Sequence, residues 1–207
     1  MTFNPSLKFA SLLAAVLLAL AGCKPAPDSI GAGTKAGKAA TSVSLAVVAA
    51  EAKGFSVGSP MSARTVYVFF DAQCPHCGEL WKAAKPLKSQ AKFVWIPVGI
   101  LNPASTSQGA ALLAASDPVA AMDAHEASLL ARQGGITAAG ASDELKTAIA
   151  KNTELFSRFG FTSIPAIAAL NAQSGAQVTQ EGSMPTAALA ALLGLQMPAA
   201  PQPATPG

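Results

Sequence analysis

The chain has 207 residues, 51% of them hydrophobic and 12% charged, which is enough apolar material for one sizeable core and a length that suits a single domain. Fourteen Lys and Arg against eleven Asp and Glu leave a net charge of +3 with no basic cluster. That balance argues against a nucleic-acid surface and for small molecules or proteins as partners.

In chain order the first feature is an export signal over residues 1–22: Lys8 precedes an apolar run from Phe9 to Leu20 that is short for a membrane span. The run ends in Leu20-Ala21-Gly22-Cys23, which resembles the lipobox of bacterial lipoproteins. The resemblance implies that Cys23 is lipidated and becomes the first mature residue, so the chain is expected in the bacterial periplasm on a lipid anchor in a membrane. Lys24, rather than an acid, tilts sorting toward the outer membrane by the enterobacterial pattern. Residues 23–42 are rich in Lys, Gly, Ala, Ser and Pro and read as a flexible tether reaching roughly 20–25 Å. Setting Cys23 aside leaves Cys74 and Cys77 as a pair, in a compartment where a disulfide persists.

A folded domain is expected over residues 43–197, opening with a short helix from Val43 to Ala52. The β-branched and aromatic run Thr65 to Phe70 predicts a buried strand. Cys74-Pro75-His76-Cys77 follows, then a helical pattern from Gly78 to Gln90 that Pro86 should kink or end. Phe93 to Val98 reads as a second strand. Helical segments follow over Ser107 to Ala115, Pro118 to Arg132 and Ser142 to Phe159, the last capped by Ser142. His125 is read as a residue of a helix surface. Ala166 to Leu170 and Gln177 to Gln180 flank a turn and predict a hairpin, with a final helix from Pro185 to Leu193 and a Pro/Ala-rich disordered tail, 198–207. The order is that of an α/β fold with one mixed sheet and an inserted helical segment.

Cysteines at i and i+3 share one face of a helix at a separation that allows a disulfide. If Cys74 stands at the helix start, unpaired N–H groups and the positive end of the helix dipole favour its thiolate. His76 adds a donor that is cationic at lower pH, and such sites lower a cysteine from about 8.5 into the range of roughly 3.5–7.5. A Cys74 value well below 7 is therefore expected, with an oxidising disulfide. Three other uses of the pair compete. An inert bridge closes too small a loop to stabilise much. Zinc lacks further ligands nearby. Copper binding or delivery through Cys74, Cys77 and His76 fits better than zinc, against the lack of a Met- or His-rich segment.

Phe69-Phe70-Asp71-Ala72-Gln73-Cys74-Pro75-His76-Cys77 resembles the active-site segment of the DsbC/DsbG group of thiol-disulfide interchange proteins. Trp95 to Leu101, Pro103, Ala110 to Ala115 and Asp117-Pro118 are similar to the stretch that follows in DsbG, and Ile164-Pro165-Ala166-Ile167 resembles the cis-proline loop. The resemblance covers roughly Val43 to Leu193. It implies a thioredoxin-like fold and a thiol-disulfide oxidoreductase in which Cys74 attacks, Cys77 resolves, Pro75 and His76 tune, and Ile164 with cis Pro165 docks substrate. It implies no cofactor and no metal. The partners would be exported proteins with cysteines and a membrane redox protein of DsbD or DsbB type. Three departures qualify it. Too few residues precede Thr65 for the amino-terminal dimerisation domain, which favours a monomer. Pro75-His76 is the dipeptide of the oxidase DsbA, whereas Ile164 stands where DsbC and DsbG carry threonine. Val68, by contrast, stands where thioredoxin and DsbA carry a buried acid, which keeps the scaffold similar to DsbC and DsbG and leaves the proton acceptor for Cys77 unassigned.

Overall fold

A computed structural model describes residues 42–198. The expected signal segment, Cys23, the tether up to residue 41 and the tail from residue 199 lie outside the described residues.

Among the described residues, five strands form one mixed sheet in the order β1-β3-β2-β4-β5. The central strand β2 (Thr65–Asp71) runs parallel to β3 (Lys92–Val98), with Val68 opposite Trp95 and Phe70 opposite Pro97. On its other side β2 pairs antiparallel with β4 (Ala166–Leu170), which pairs with β5 (Gln177–Glu181) through the expected turn. Strands covered on both faces read as continuous apolar runs, and the alternation divides them. Val66, Val68, Phe70, Phe93 and Trp95 enter one core with Leu80 and Trp81 of α2 (Pro75–Ala84) and Leu189 and Leu193 of α6 (Thr186–Leu193). Phe69, Ile96 and Val98 enter the other with Val48 of α1 (Leu45–Glu51) and Leu155 and Phe156 of α5 (Asp143–Arg158). Trp81 and Trp95 meet edge to face at 5.0 Å between ring centroids, which fixes α2 over the sheet.

Three elements differ from expectation. Strand β1 (Phe55–Gly58) is not expected from the sequence; it pairs antiparallel with β3 at the sheet edge, and its alternation, with Phe55 buried and Val57 half-buried against the core, spans only four residues and is too short to stand out. Helix α3 (Pro103–Ala114) begins before Ser107, because the Asn102 side chain accepts from the Ala104 N–H, Ser105 returns a bond to Asn102, and Pro103 fits the first helical position. Helix α2 begins at Pro75 rather than Gly78 and passes at Lys85 into a 3-10 turn containing Pro86. Ser142 caps α5 as expected, through the Leu145 N–H.

The inserted helix α4 (Pro118–Leu130) lies against α2. Asp117 caps its start, and Asp123 accepts a 2.6 Å hydrogen bond from the Trp81 indole. His125 is fully buried, which corrects its assignment to a helix surface. An alanine-rich helix has no apolar stripe to mark its inner face, and here that face is made of Met122, His125 and Glu126.

Candidate active site

Strand β2 ends at Asp71, and the chain turns through Ala72 and Gln73 into α2. The buried Asp71 carboxylate organises this turn: one oxygen accepts from the Gln73 N–H at 2.8 Å, the other from the N–H groups of Ile100 and Leu101 at 2.7 and 3.0 Å. The ends of the two parallel strands are thereby tied together beneath the cysteines. His125 braces the turn from α4. Its Nδ1 accepts from the Ile136 N–H at 3.1 Å, so Nε2 carries the proton and donates to the Ala72 carbonyl at 2.5 Å. Burial lowers the His125 pKa and keeps the ring neutral. Gly135, at φ +91, is required here because a Cβ would meet the His125 ring at 2.5 Å. Gln73 donates to Gln108, which donates in turn to the carbonyls of Gly134 and Ile136.

Cys74 is the N-cap of α2 and Pro75 its first residue. Both cysteines are free thiols, Cys74 only 5% exposed and Cys77 fully buried. Cys74 Sγ lies 3.9 Å from the Ile164 carbonyl oxygen, and the Ile164–Pro165 peptide is cis, as expected. Cys74 and the loop before β4 thus face each other although ninety positions separate them.

The two thiols differ in acidity. Cys74 is lowered to about 7, chiefly by the hydrogen bond from the Cys77 thiol, then by the N–H groups of Cys77 and His76 and by the charge of His76, with burial opposing. Cys77 is pushed far up, first by burial and then by Cys74. A value of about 7 is higher than the expected one because burial of the Cys74 sulfur opposes its thiolate. The His76 ring is 67% exposed and pairs with Glu79 across 2.9 Å, so its charge is shared with a carboxylate as well as with the sulfur. Glu79, which also accepts from Ser183 at 2.7 Å, raises the His76 pKa.

Of the residues expected in the site, Cys74, Pro75, His76, Cys77, Ile164 and Pro165 converge; Cys23 lies outside the described residues. Sequence reasoning missed His125, Gln108 and Glu126. For His125 and Glu126 the available signal is the Asp117-Pro118 helix start, from which 122, 125 and 126 fall on one face; Gln108, on α3, has none.

The thioredoxin-like domain family matches residues 59–196. The thiol:disulfide interchange protein DsbG of Pseudomonas aeruginosa is 37% identical over 137 residues, 63% of this chain and 51% of that protein. DsbG of Escherichia coli is 32% identical over 104 residues, 49% of this chain and 42% of that protein. The chain spans about half the length of the curated relatives it matches. A periplasmic thioredoxin-like protein from Salmonella enterica shares the fold at a TM-score of 0.58, with 17% identity over 74% of this chain and 97% of that one. Sheet order, the two helix-covered faces and the match across residues 59–196 agree: the chain belongs to the thioredoxin-like domain family.

Proposed function

We propose that the chain is a thiol-disulfide oxidoreductase that exchanges disulfides with exported proteins through Cys74 and Cys77. The observation that carries this is the division of labour at the start of α2. Cys74, at the helix N-cap beside the Ile164 carbonyl, is held at about 7, so a large share is thiolate near neutral pH, while the buried Cys77 keeps its proton. The similarity to DsbG supports the same chemistry.

In the reducing direction the Cys74 thiolate attacks one sulfur of a substrate disulfide. The Cys74–substrate bond forms, the substrate disulfide breaks, and the departing thiolate takes up a proton. Cys77 then gives up its proton and attacks Cys74 Sγ. The internal disulfide forms and the second substrate thiolate leaves, so two electrons have passed from the pair to the substrate. Oxidation of a substrate dithiol is the reverse. Ile164 and Pro165 supply the backbone edge against which the substrate cysteine lies. A nucleophile near 7 is like that of thioredoxin rather than that of DsbA, about 3.5, which favours reductase or isomerase work over thiol oxidation despite Pro75-His76.

The remaining parts of the proposal rest on the sequence. Residues 43–197 form the catalytic domain, Cys23 carries the lipid that holds it in the periplasm at the outer membrane, the domain is a monomer, and a membrane protein of DsbD or DsbB type resets the pair. Trapping tests the central step. Cys77→Ser should accumulate a mixed disulfide between Cys74 and a cysteine-bearing exported protein, and Cys74→Ser should abolish it. Absence of any adduct with Cys77→Ser would refute the assignment.

A further inference from the structure

Glu126 is a buried acid that neither the fold nor the exchange step accounts for. It is 5% exposed, projects from α4 onto the first turn of α2, and no ion pair reaches it among the described residues. Its carboxylate lies where a side chain of Gly78 would be: a Cβ built on Gly78 would collide with Glu126 Oε2. Glycine inside a helix is destabilising by roughly 1 kcal/mol relative to alanine, and here, one residue past Cys77, it makes the cradle for this carboxylate. A crevice of about 120 Å³ lined by Pro75, Gly78, Glu79, Lys82, Glu126 and Leu130 leads from it to solvent.

The titratable and charged groups facing Glu126 are Cys74, Glu79 and Lys82 from α2 and its N-cap, and Asp123 from its own helix. Burial pushes Glu126 up to about 7; Lys82 opposes, and the Cys74 thiolate and Asp123 push further. Cys74 titrates in the same range. Two acids that disfavour each other's charge lose their protons in two steps that belong to the pair.

We propose that Glu126 is a charge brake on the redox pair: held by Gly78 against the first turn of α2, its carboxylate opposes the Cys74 thiolate, so that the poise of the pair depends on pH. This rests on the oxidoreductase reading above. At low pH Glu126 is neutral and the brake is off. As pH rises Glu126 ionises, the reduced form loses part of its thiolate stabilisation, and the pair becomes more reducing than the helix start alone would make it.

Three measurements on the full chain decide it. Glu126→Gln keeps the shape and removes the charge, and should lower the Cys74 midpoint, read from thiolate absorbance against pH, by about one unit. At pH 8 the equilibrium with glutathione should then shift about tenfold toward the reduced form, about 30 mV less negative. Gly78→Ala, which raises helix propensity, should displace the carboxylate and move Cys74 in the same direction. Carbon-13 titration of Glu126 in the unaltered protein should show a lower pKa in the disulfide form than in the dithiol form, since oxidation removes the facing thiolate. Substitutions that leave the Cys74 midpoint unchanged, or a Glu126 titration indifferent to oxidation, would overturn the brake. An unaltered protein unable to exchange disulfides would instead overturn the oxidoreductase reading.

Discussion

Replacing Cys77 by alanine separates the interactions that set the acidity of Cys74. The Cys77 thiol is the largest influence holding Cys74 at about 7, ahead of the backbone N–H groups and the charge of His76. A hydrogen bond to a charged acceptor contributes about 1.5–3 kcal/mol, and each pKa unit corresponds to about 1.4 kcal/mol. Cys77→Ala should therefore raise Cys74 by roughly one to two units, which reduces the thiolate fraction at pH 7 from about one half to between about 1 and 10%. Cys77→Ser keeps an O–H donor in the same place and should leave Cys74 within about half a unit of its original value. Ultraviolet absorbance of the thiolate against pH, on both variants, reads the difference directly. The rate of alkylation at pH 7 should fall in parallel for alanine and not for serine. If Cys77→Ala still titrates near 7, or if serine raises Cys74 as much as alanine does, the Cys77 hydrogen bond is not what activates Cys74.

His76→Ala should raise Cys74 by less than Cys77→Ala does, because the exposed ring is engaged by Glu79 and its charge is the last of the favourable influences; the same absorbance titration measures it. His125→Ala leaves the Ala72 carbonyl and the Ile136 N–H without their partner in a buried setting and should destabilise the domain by about 2–5 kcal/mol in urea unfolding. The folded pKa of His125 is depressed below its unfolded value of about 6.5. Its neutral form thus contributes stability that is present above about 6.5 and lost as pH falls through the folded value, and His125→Gln should flatten that part of the melting-temperature profile. Glu126 has the opposite sign, raised to about 7 from an unfolded value of about 4.3. The stability of its protonated form is complete below about 4.3 and lost as pH rises through 7, so Glu126→Gln should gain up to about 3 kcal/mol over the original protein at pH 8 and little at pH 4.

Much of the fold was legible because the responsible signals are local. The run Thr65 to Phe70 is apolar at every position but the first, as a strand covered on both faces must be, and it became the centre of the sheet. Ser142 with two acids behind it marked the start of α5, and Pro86 marked the end of α2. The cysteine pair and Pro165 were found as motifs, and the fold supplied what the motifs lack, the approach of Cys74 Sγ to the Ile164 carbonyl. What escaped has a common physical cause. Strand β1 turns only Phe55 and Val57 inward, too short an alternation to read, and it pairs with β3 at the sheet edge. The inner face of α4 sets one apolar residue, Met122, beside His125 and Glu126, so a hydrophobic period does not reveal it, and His125 reads as solvated without its two backbone partners, Ala72 and Ile136. Gly78 gives no signal in the sequence beyond a helical pattern, whereas it is the position at which α4 places a carboxylate on the first turn of α2. Cys74 is less acidic than Pro75-His76 alone implies because the fold buries its sulfur, which the motif does not show.

The most direct test of the assigned chemistry is equilibration of the full chain with glutathione redox buffers, followed by acid trapping and mass analysis of Cys74 and Cys77. The expected result is a single reversible two-electron transition to an internal Cys74–Cys77 disulfide. Its potential should lie closer to the roughly −270 mV of thioredoxin than to the roughly −120 mV of DsbA, in keeping with a nucleophile near 7. A pair that stays reduced or stays oxidised across the whole glutathione range, or a transition that persists in Cys74→Ser, would contradict it.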